Sequence, residues 1–353
     1  MSEKKLMKGN EVVGEAAIRA GCRYFFGYPI TPQNDIPAYM SRRLPEVDGV
    51  FLQAESEVAA SNMVYGAAGA GARVLTSSSS PGISLKAEGI SYIAGAELPA
   101  VIVNIMRSGP GLGGIQPSQA DYFQATKGMA HGDFRLLVLA PSTVQELADL
   151  TYLAFDLADK YRNPVMVLGD GMLGQMMEPV EFKEMRDLDE LPKKEWATDG
   201  AKGREKNVIN SLGLVAENLE KHNLKLKAKY DQMREEEVRY DDYKMDDAEL
   251  AIVAYGTTAR IATSAIDRAR KEGYKVGLIR PITLFPYPEK RIAEAADQVD
   301  EFLAVEMSTG QMVEDVKLAV NGKKPVEFYG RTGGVVPSTD EIYDKIVAMR
   351  GDK

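Results

Sequence analysis

One cysteine, two histidines and one tryptophan are all that 353 residues contain of those types. The lone thiol, Cys22, cannot close an internal disulfide. Nor can it furnish the thiolate set of a zinc or iron–sulfur site. His131 and His222 each lack an obvious second ligand, so both read as structural or surface histidines rather than metal ligands. Positive charge is short as well: 43 Lys and Arg against 52 Asp and Glu leave a formal charge of −9. A chain of that sign is a poor partner for nucleic acid or an anionic membrane, and neither is expected. The longest apolar runs, such as residues 99–106, are strand-sized and far short of a bilayer span. No signal-length apolar stretch follows Met-Ser-Glu-Lys-Lys, so a cytoplasmic location is expected. Redox chemistry on such a chain needs an organic cofactor or another polypeptide.

With 44% hydrophobic and 27% charged residues, the chain has an ordinary globular balance. Its length suits about two domains. The first part alternates helical and extended patterns. A helix beginning near Asn10 should stop at Gly21. Strands are expected at 24–26, 50–52, 73–76, 100–106, 136–139 and 165–168, with helices between them, notably at 57–71. Repeated strand–helix units imply a largely parallel sheet covered on both faces. Residues 216–246 are about half charged, and they read as a charged helical linker or, alternatively, a binding arm. The strand–helix rhythm then restarts, with strands near 250–255, 276–279, 302–305 and 326–329. The expected organisation is a domain over 1–215, the linker over 216–246, and a smaller α/β domain over 247–353.

Two glycine motifs invite over-reading. Gly109-Pro110-Gly111-Leu112-Gly113-Gly114 fits G-x-G-x-x-G after a strand, but a dinucleotide site needs those glycines to open a helix. Pro110 and Pro117 argue instead for a flexible loop, which leaves a nicotinamide-dependent dehydrogenase as a minor alternative. Gly169-Asp170-Gly171 begins like a metal–diphosphate motif, yet no Asn follows at the needed interval; a strand-end turn is the simpler reading. No G-x-x-x-x-G-K-[ST] is present.

Polar residues at strand ends carry more. Thr31 lies in a loop between two prolines, Glu57 opens an apolar helix, and Arg107 follows the strand at 100–106. A carboxylate at a helix N-terminus is favoured by the helix dipole, and open α/β sheets gather ligands at the carboxyl ends of their strands. Singly, each has a bland reading: a solvated charge, a salt-bridge partner, a cap.

Together with their surroundings they become recognisable. The segments are Tyr28-Pro29-Ile30-Thr31-Pro32, Glu55-Ser56-Glu57 with Gly66-Ala67-Ala68-Gly69-Ala70-Gly71-Ala72, and Thr76-Ser77-Ser78-Ser79-Ser80-Pro81-Gly82. Glu97-Leu98-Pro99 through Arg107 to Gln116-Pro117-Ser118-Gln119, then Ala130-His131-Gly132-Asp133, extend the set. The combination resembles the α subunits of 2-oxoacid:ferredoxin oxidoreductases. That resemblance implies an α/β fold: a thiamine-diphosphate pyrimidine-domain-like doubly wound parallel sheet, plus a transketolase C-terminal-like α/β domain. It implies Glu57 as the carboxylate that activates the cofactor's aminopyrimidine, Arg107 as the substrate-binding guanidinium, and Thr31 as a hydroxyl on substrate and cofactor. It further implies a heteromer in which this chain binds the pyrimidine half of thiamine diphosphate. A β subunit would hold the diphosphate and Mg²⁺, and iron–sulfur clusters would sit on β and ferredoxin-like δ subunits. A γ domain would be a separate chain, since Tyr28-Pro29-Ile30-Thr31-Pro32 comes so early. Coenzyme A would accept the acyl group and ferredoxin the electrons. Ser77-Ser78-Ser79-Ser80-Pro81-Gly82-Ile83-Ser84 and the 109–117 stretch are most similar to enzymes acting on 3-methyl-2-oxobutanoate. Enzymes of 2-oxoglutarate or other 2-oxoacids share most segments and remain alternatives, as does a non-catalytic scaffolding subunit.

Overall fold

The computed structural model describes residues 4–351. Its larger sheet has seven strands in the order Thr283–Phe285, Leu137–Leu139, Pro164–Asp170, Ala100–Met106, Val74–Ser78, Tyr24–Gly27, Val50–Gln53. All pairings within it are parallel except that of Thr283–Phe285. The two strands at the centre, Ala100–Met106 and Pro164–Asp170, are buried along their whole length, as strands covered on both faces must be. Alternation along the strands separates the layers. Val74 and Ala100 pack with Val64 and Ala68 of helix Glu57–Gly69 and Ile93 of helix Pro81–Gly95. Their neighbours Leu75 and Val101 face the core that includes helices Gly9–Arg19 and Val144–Tyr161.

A second sheet runs Val326–Gly330, Glu301–Glu306, Leu250–Val253, Val276–Pro281, Tyr240–Tyr243, parallel except for the last. Helices Gly256–Lys271 and Thr339–Arg350 pack together beside it. A small antiparallel ribbon joins Lys5–Lys8 to Met177–Val180.

The expected strands and helices of both halves are present within a residue or two. Three features differ from the sequence reading. Thr283–Phe285, inside the stretch expected to form the second domain, pairs with Leu137–Leu139 at the edge of the first sheet. The charged stretch is a 21-residue helix, Ala216–Glu236, whose Leu226, Tyr230 and Met233 are buried. It is tied to the first half through His222 Nε2 to Gly95 O at 2.7 Å and through Lys225 and Lys229 to Glu97. The residues after it, Tyr240–Tyr243, form an edge strand of the second sheet, so the expected linker contributes to both halves. Third, Asp170 does more than end a strand: its Oδ1 accepts from Met172 N and Leu173 N at 2.9 and 3.1 Å, capping helix Gly171–Gln175.

The glycine stretch at 109–114 opens no helix; a bridge between Arg107 and Pro117 closes it as a loop. Cys22 is buried, and burial pushes its thiol up to about 12, which leaves it inert. Among the described residues no helix is long and apolar enough to cross a membrane.

Candidate active site

Because the strands run parallel, their carboxyl ends gather along one edge of the sheet. Thr31 follows Tyr24–Gly27, Glu57 follows Val50–Gln53, Ser79 and Ser80 follow Val74–Ser78, and Arg107 follows Ala100–Met106.

Glu57 is the first residue of its helix, which Ser56 caps by accepting from Ala59 N at 3.2 Å. Glu57 is 6% exposed. Beside it lies Gly82, where a Cβ would stand 2.1 Å from Ser78 Oγ and 2.9 Å from Glu57 Oε1. Ser78 Oγ and Ser79 Oγ are themselves buried without a hydrogen-bond partner. A buried carboxylate, drawn close to the backbone where only glycine fits, and the unpartnered hydroxyls beside it suit a ligand that exchanges hydrogen bonds, as an aminopyrimidine does.

Arg107 is nearly buried, and its guanidinium spans two backbone carbonyls: Nη1 to Thr31 O at 3.0 Å and Nη2 to Leu112 O at 3.1 Å. Its Nε is buried and has no partner. Thr31 is therefore brought directly against Arg107, and its Oγ1 accepts from Asn34 Nδ2 at 3.1 Å. Glu57 belongs to a separate cluster around Gly82, joined to Arg107 by the serine turn. Ser80 Oγ donates to Asp121 Oδ2 at 2.6 Å and accepts from Arg107 N at 3.0 Å. Asn104 completes this knot, donating to Asp121 Oδ2 at 2.9 Å and accepting from Ser80 N at 3.1 Å. Burial raises the Asp121 carboxyl, while Ser80 and Asn104 pull it back. Ser80 itself has φ +21, a strained conformation for a non-glycine residue.

The loop beyond Arg107 is anchored to the second half. Gln119 Nε2 donates to Tyr255 O at 2.8 Å, and its Oε1 accepts from Met307 N at 3.0 Å. Thr31, Asn34, Ile115, Gln116 and Gly171 line an open cavity of about 400 Å³. A cavity of about 390 Å³ under Phe285 includes none of Thr31, Glu57 and Arg107. Its Lys127, Lys290 and Arg291 are already paired with Asp315, Glu235 and Asp242.

Sequence reasoning missed Ser80, Asn104, Asp121 and Gln119, because their roles arise from tertiary contacts across 17 to 188 residues of chain. It also missed Lys86, a cation at a fully buried position. The signal for that one was present: a lone lysine spaced between Gly82 and Gly89 on a face of small residues.

The family model for the thiamine-diphosphate-binding domain of pyruvate flavodoxin/ferredoxin oxidoreductases matches residues 15–245. A second, for core domain II of pyruvate:ferredoxin oxidoreductase, matches 248–342. The chain belongs to the 2-oxoacid:ferredoxin oxidoreductase family. Ketoisovalerate oxidoreductase subunit VorB of Methanothermobacter thermautotrophicus is 53% identical, across 99% of this chain and 98% of that protein. The 2-oxoglutarate synthase subunit KorA of the same organism is 35% identical, across 99% of this chain and 100% of the relative. The solved 2-oxoglutarate:ferredoxin oxidoreductase from Magnetococcus marinus aligns with a TM-score of 0.86 over 98% of this chain, at 24% identity. That match bears on fold, and this chain spans 65% of the solved one. A split-gene transketolase aligns over 97% of both chains with a TM-score of 0.59. The α/β fold, with a thiamine-diphosphate-binding domain and a transketolase-like neighbour, is thus the one expected.

In this 2-oxoacid:ferredoxin oxidoreductase chain the close approach at Gly82 carries a prediction. Gly82→Ala should cost about 1–3 kcal/mol in denaturant unfolding, because the new methyl meets Ser78 Oγ and Glu57 Oε1 on a rigid face. Thiamine diphosphate affinity of the assembled enzyme, measured by titration, should fall in parallel. A variant with wild-type stability and affinity would contradict the close approach.

Proposed function

We propose that this chain is the α subunit of a heteromeric enzyme that converts 3-methyl-2-oxobutanoate and coenzyme A to isobutanoyl-CoA and CO₂. Two electrons leave for ferredoxin. The observation that carries the substrate assignment is the 53% identity with a ketoisovalerate oxidoreductase subunit along nearly the full length, against 35% with a 2-oxoglutarate synthase subunit.

Thiamine diphosphate, when bound, supplies the nucleophilic carbon that adds to the 2-oxo group and holds the electron pair released with CO₂. Glu57 would hold a proton at the ring nitrogen N1′ of the aminopyrimidine and so favour the tautomer that activates that carbon. Ser78 and Ser79 offer the remaining hydrogen bonds. Arg107 has both terminal nitrogens committed to carbonyls and keeps Nε for a carboxylate or developing oxyanion of the substrate. Thr31 receives a hydrogen bond from Asn34, so its own hydroxyl hydrogen is free to donate to substrate.

The other half of the site belongs to partners in this reading. Among the described residues no three His, Cys, Asp or Glu side chains gather to hold a metal ion, and the one cysteine is buried. Mg²⁺ and the diphosphate are assigned to a β subunit, and iron–sulfur clusters to β and a ferredoxin-like δ subunit, with γ as a separate chain. The test is a panel of 2-oxoacids against the reconstituted complex, read as dye reduction. The branched substrate should exceed 2-oxoglutarate in kcat/KM by about 10- to 100-fold, the scale on which apolar pockets discriminate. A preference for 2-oxoglutarate would overturn the substrate assignment.

A further inference from the structure

The short helix Tyr122–Thr126 has Asp121 at its N-cap position, where an aspartate ordinarily accepts from the backbone of the first turn. Its side chain makes no such bond. The Phe123 N–H that it would meet donates instead to Gln311 Oε1 at 2.7 Å, and Gln311 Nε2 donates to Ala120 O at 2.7 Å. The second half of the molecule therefore supplies the cap. Ser118 Oγ and Gln119 N both donate to Met307 O, and the Tyr122 hydroxyl donates to Asp315, so residues 118–123 are seated on that half along their length. The Asp121 carboxylate is released to reach across to the strand ends of the first sheet.

One of its oxygens, Oδ2, accepts two hydrogens, from Ser80 Oγ at 2.6 Å and from Asn104 Nδ2 at 2.9 Å. A hydroxyl has a single hydrogen to give. Ser80 Oγ also lies 3.1 Å from Arg107 O, so without the carboxylate that hydrogen would turn to the carbonyl. The charged acceptor at the shorter distance decides the direction. It leaves the Ser80 lone pairs for Arg107 N, 3.0 Å away. The bond from Asn104 likewise fixes which way that amide points: nitrogen to the carboxylate, oxygen to Ser80 N at 3.1 Å. Both groups converge on Ser80, whose φ of +21 is a conformation that a serine holds only when its surroundings enforce it. Arg107 starts from the amide that Ser80 holds, and its guanidinium must arrive between Thr31 O and Leu112 O.

We propose that Asp121 is a positioning residue for Arg107: by fixing the hydrogen-bond directions of Ser80 and Asn104, it sets the backbone from which the guanidinium projects. The inference rests on the reading of Arg107 given above. Asp121 acts through Ser80 and Asn104, and its own place is set by the second half of the chain.

The test uses the reconstituted complex, with Arg107→Lys as reference and Asp121→Ala made both alone and in the Arg107→Lys background. Alone, Asp121→Ala should lower kcat/KM for the 2-oxoacid about 10-fold, chiefly by raising KM, while KM for coenzyme A stays unchanged. In the Arg107→Lys background the same substitution should cost less than about 2-fold, because the guanidinium it positions is already gone. A merely structural defect would reduce the active fraction, lowering kcat at constant KM and by the same factor in both backgrounds. Asp121→Asn keeps an oxygen that both donors can reach and should restore KM toward wild type. Should Asp121→Ala fail to assemble, Ser80→Ala removes the hydroxyl that the carboxylate directs and should show the same coupling to Arg107. Equal losses in both backgrounds, or a wild-type KM in the single variant, would overturn the proposal. If Arg107→Lys itself turned over at the wild-type rate, the assignment of Arg107 would fall, and this inference with it. An impaired Arg107→Lys with additive losses would remove Asp121 alone.

Discussion

Glu57→Gln in the assembled complex is expected to lower 2-oxoacid-dependent reduction of a viologen dye by about 10²- to 10⁴-fold, the usual span for loss of a positioned acid–base group. The substitution preserves shape. The amide has the outline of the carboxylate and keeps its contact with Gly82, and the Ser56 cap to Ala59 N is untouched. In the proposed role what is lost is the carboxylate: a carboxamide would meet N1′ but could not hold a proton there. Loss of the favourable charge at the helix N-terminus costs about 0.3–1 kcal/mol, so thermal unfolding and assembly should change little. A variant turning over near the wild-type rate would remove Glu57 from the mechanism.

Arg107→Lys should be nearly as damaging, with kcat/KM falling about 10²- to 10³-fold, on the scale of losing an oriented donor to developing charge. Charge is conserved, so an outcome near wild type would mean that only charge matters. The geometry argues otherwise. The guanidinium bridges Thr31 O and Leu112 O and still offers Nε, whereas an ammonium on a flexible stem cannot span both carbonyls and a substrate. The glycine loop at 109–114 would lose its tie to the Thr31 loop, so KM should rise as kcat falls. Steady-state kinetics on the complex separates the two effects.

Much of this architecture could be read from the chain because buried parallel strands announce themselves. Val-Ile-Val-Asn-Ile-Met at 101–106 leaves little choice but a covered strand, and Arg107 then lands at its carboxyl end. Thr31 and Glu57 follow from the same logic, and their adjacency to helix and loop boundaries was visible. Tyr240–Tyr243 was not, since Tyr-Asp-Asp-Tyr has the composition of a surface; only pairing with Val276–Pro281 makes it a strand. Thr283–Phe285 is too short to show a period. Helix Ala216–Glu236 reads as solvated because its three buried residues are scattered among charges, and its docking depends on partners such as Glu97. The candidate site was legible as a set of strand-end residues but not as geometry. That Arg107 grips Thr31 O, and that Gly82 lets Ser78 and Glu57 approach so closely, depends on how distant strands line up.

The strand Thr283–Phe285 has a mechanical side. The backbone leaves the second sheet at Pro281, adds a rung to the first, and returns to the second at Glu301, so the two halves are laced together. Hinged opening between them would have to unzip that rung and tear Gln119 from Tyr255 and Met307. The chain thus behaves as one stiff jaw. In the proposed assembly, whatever yawning admits a 2-oxoacid and releases a bulky thioester takes place where this jaw closes on its partner.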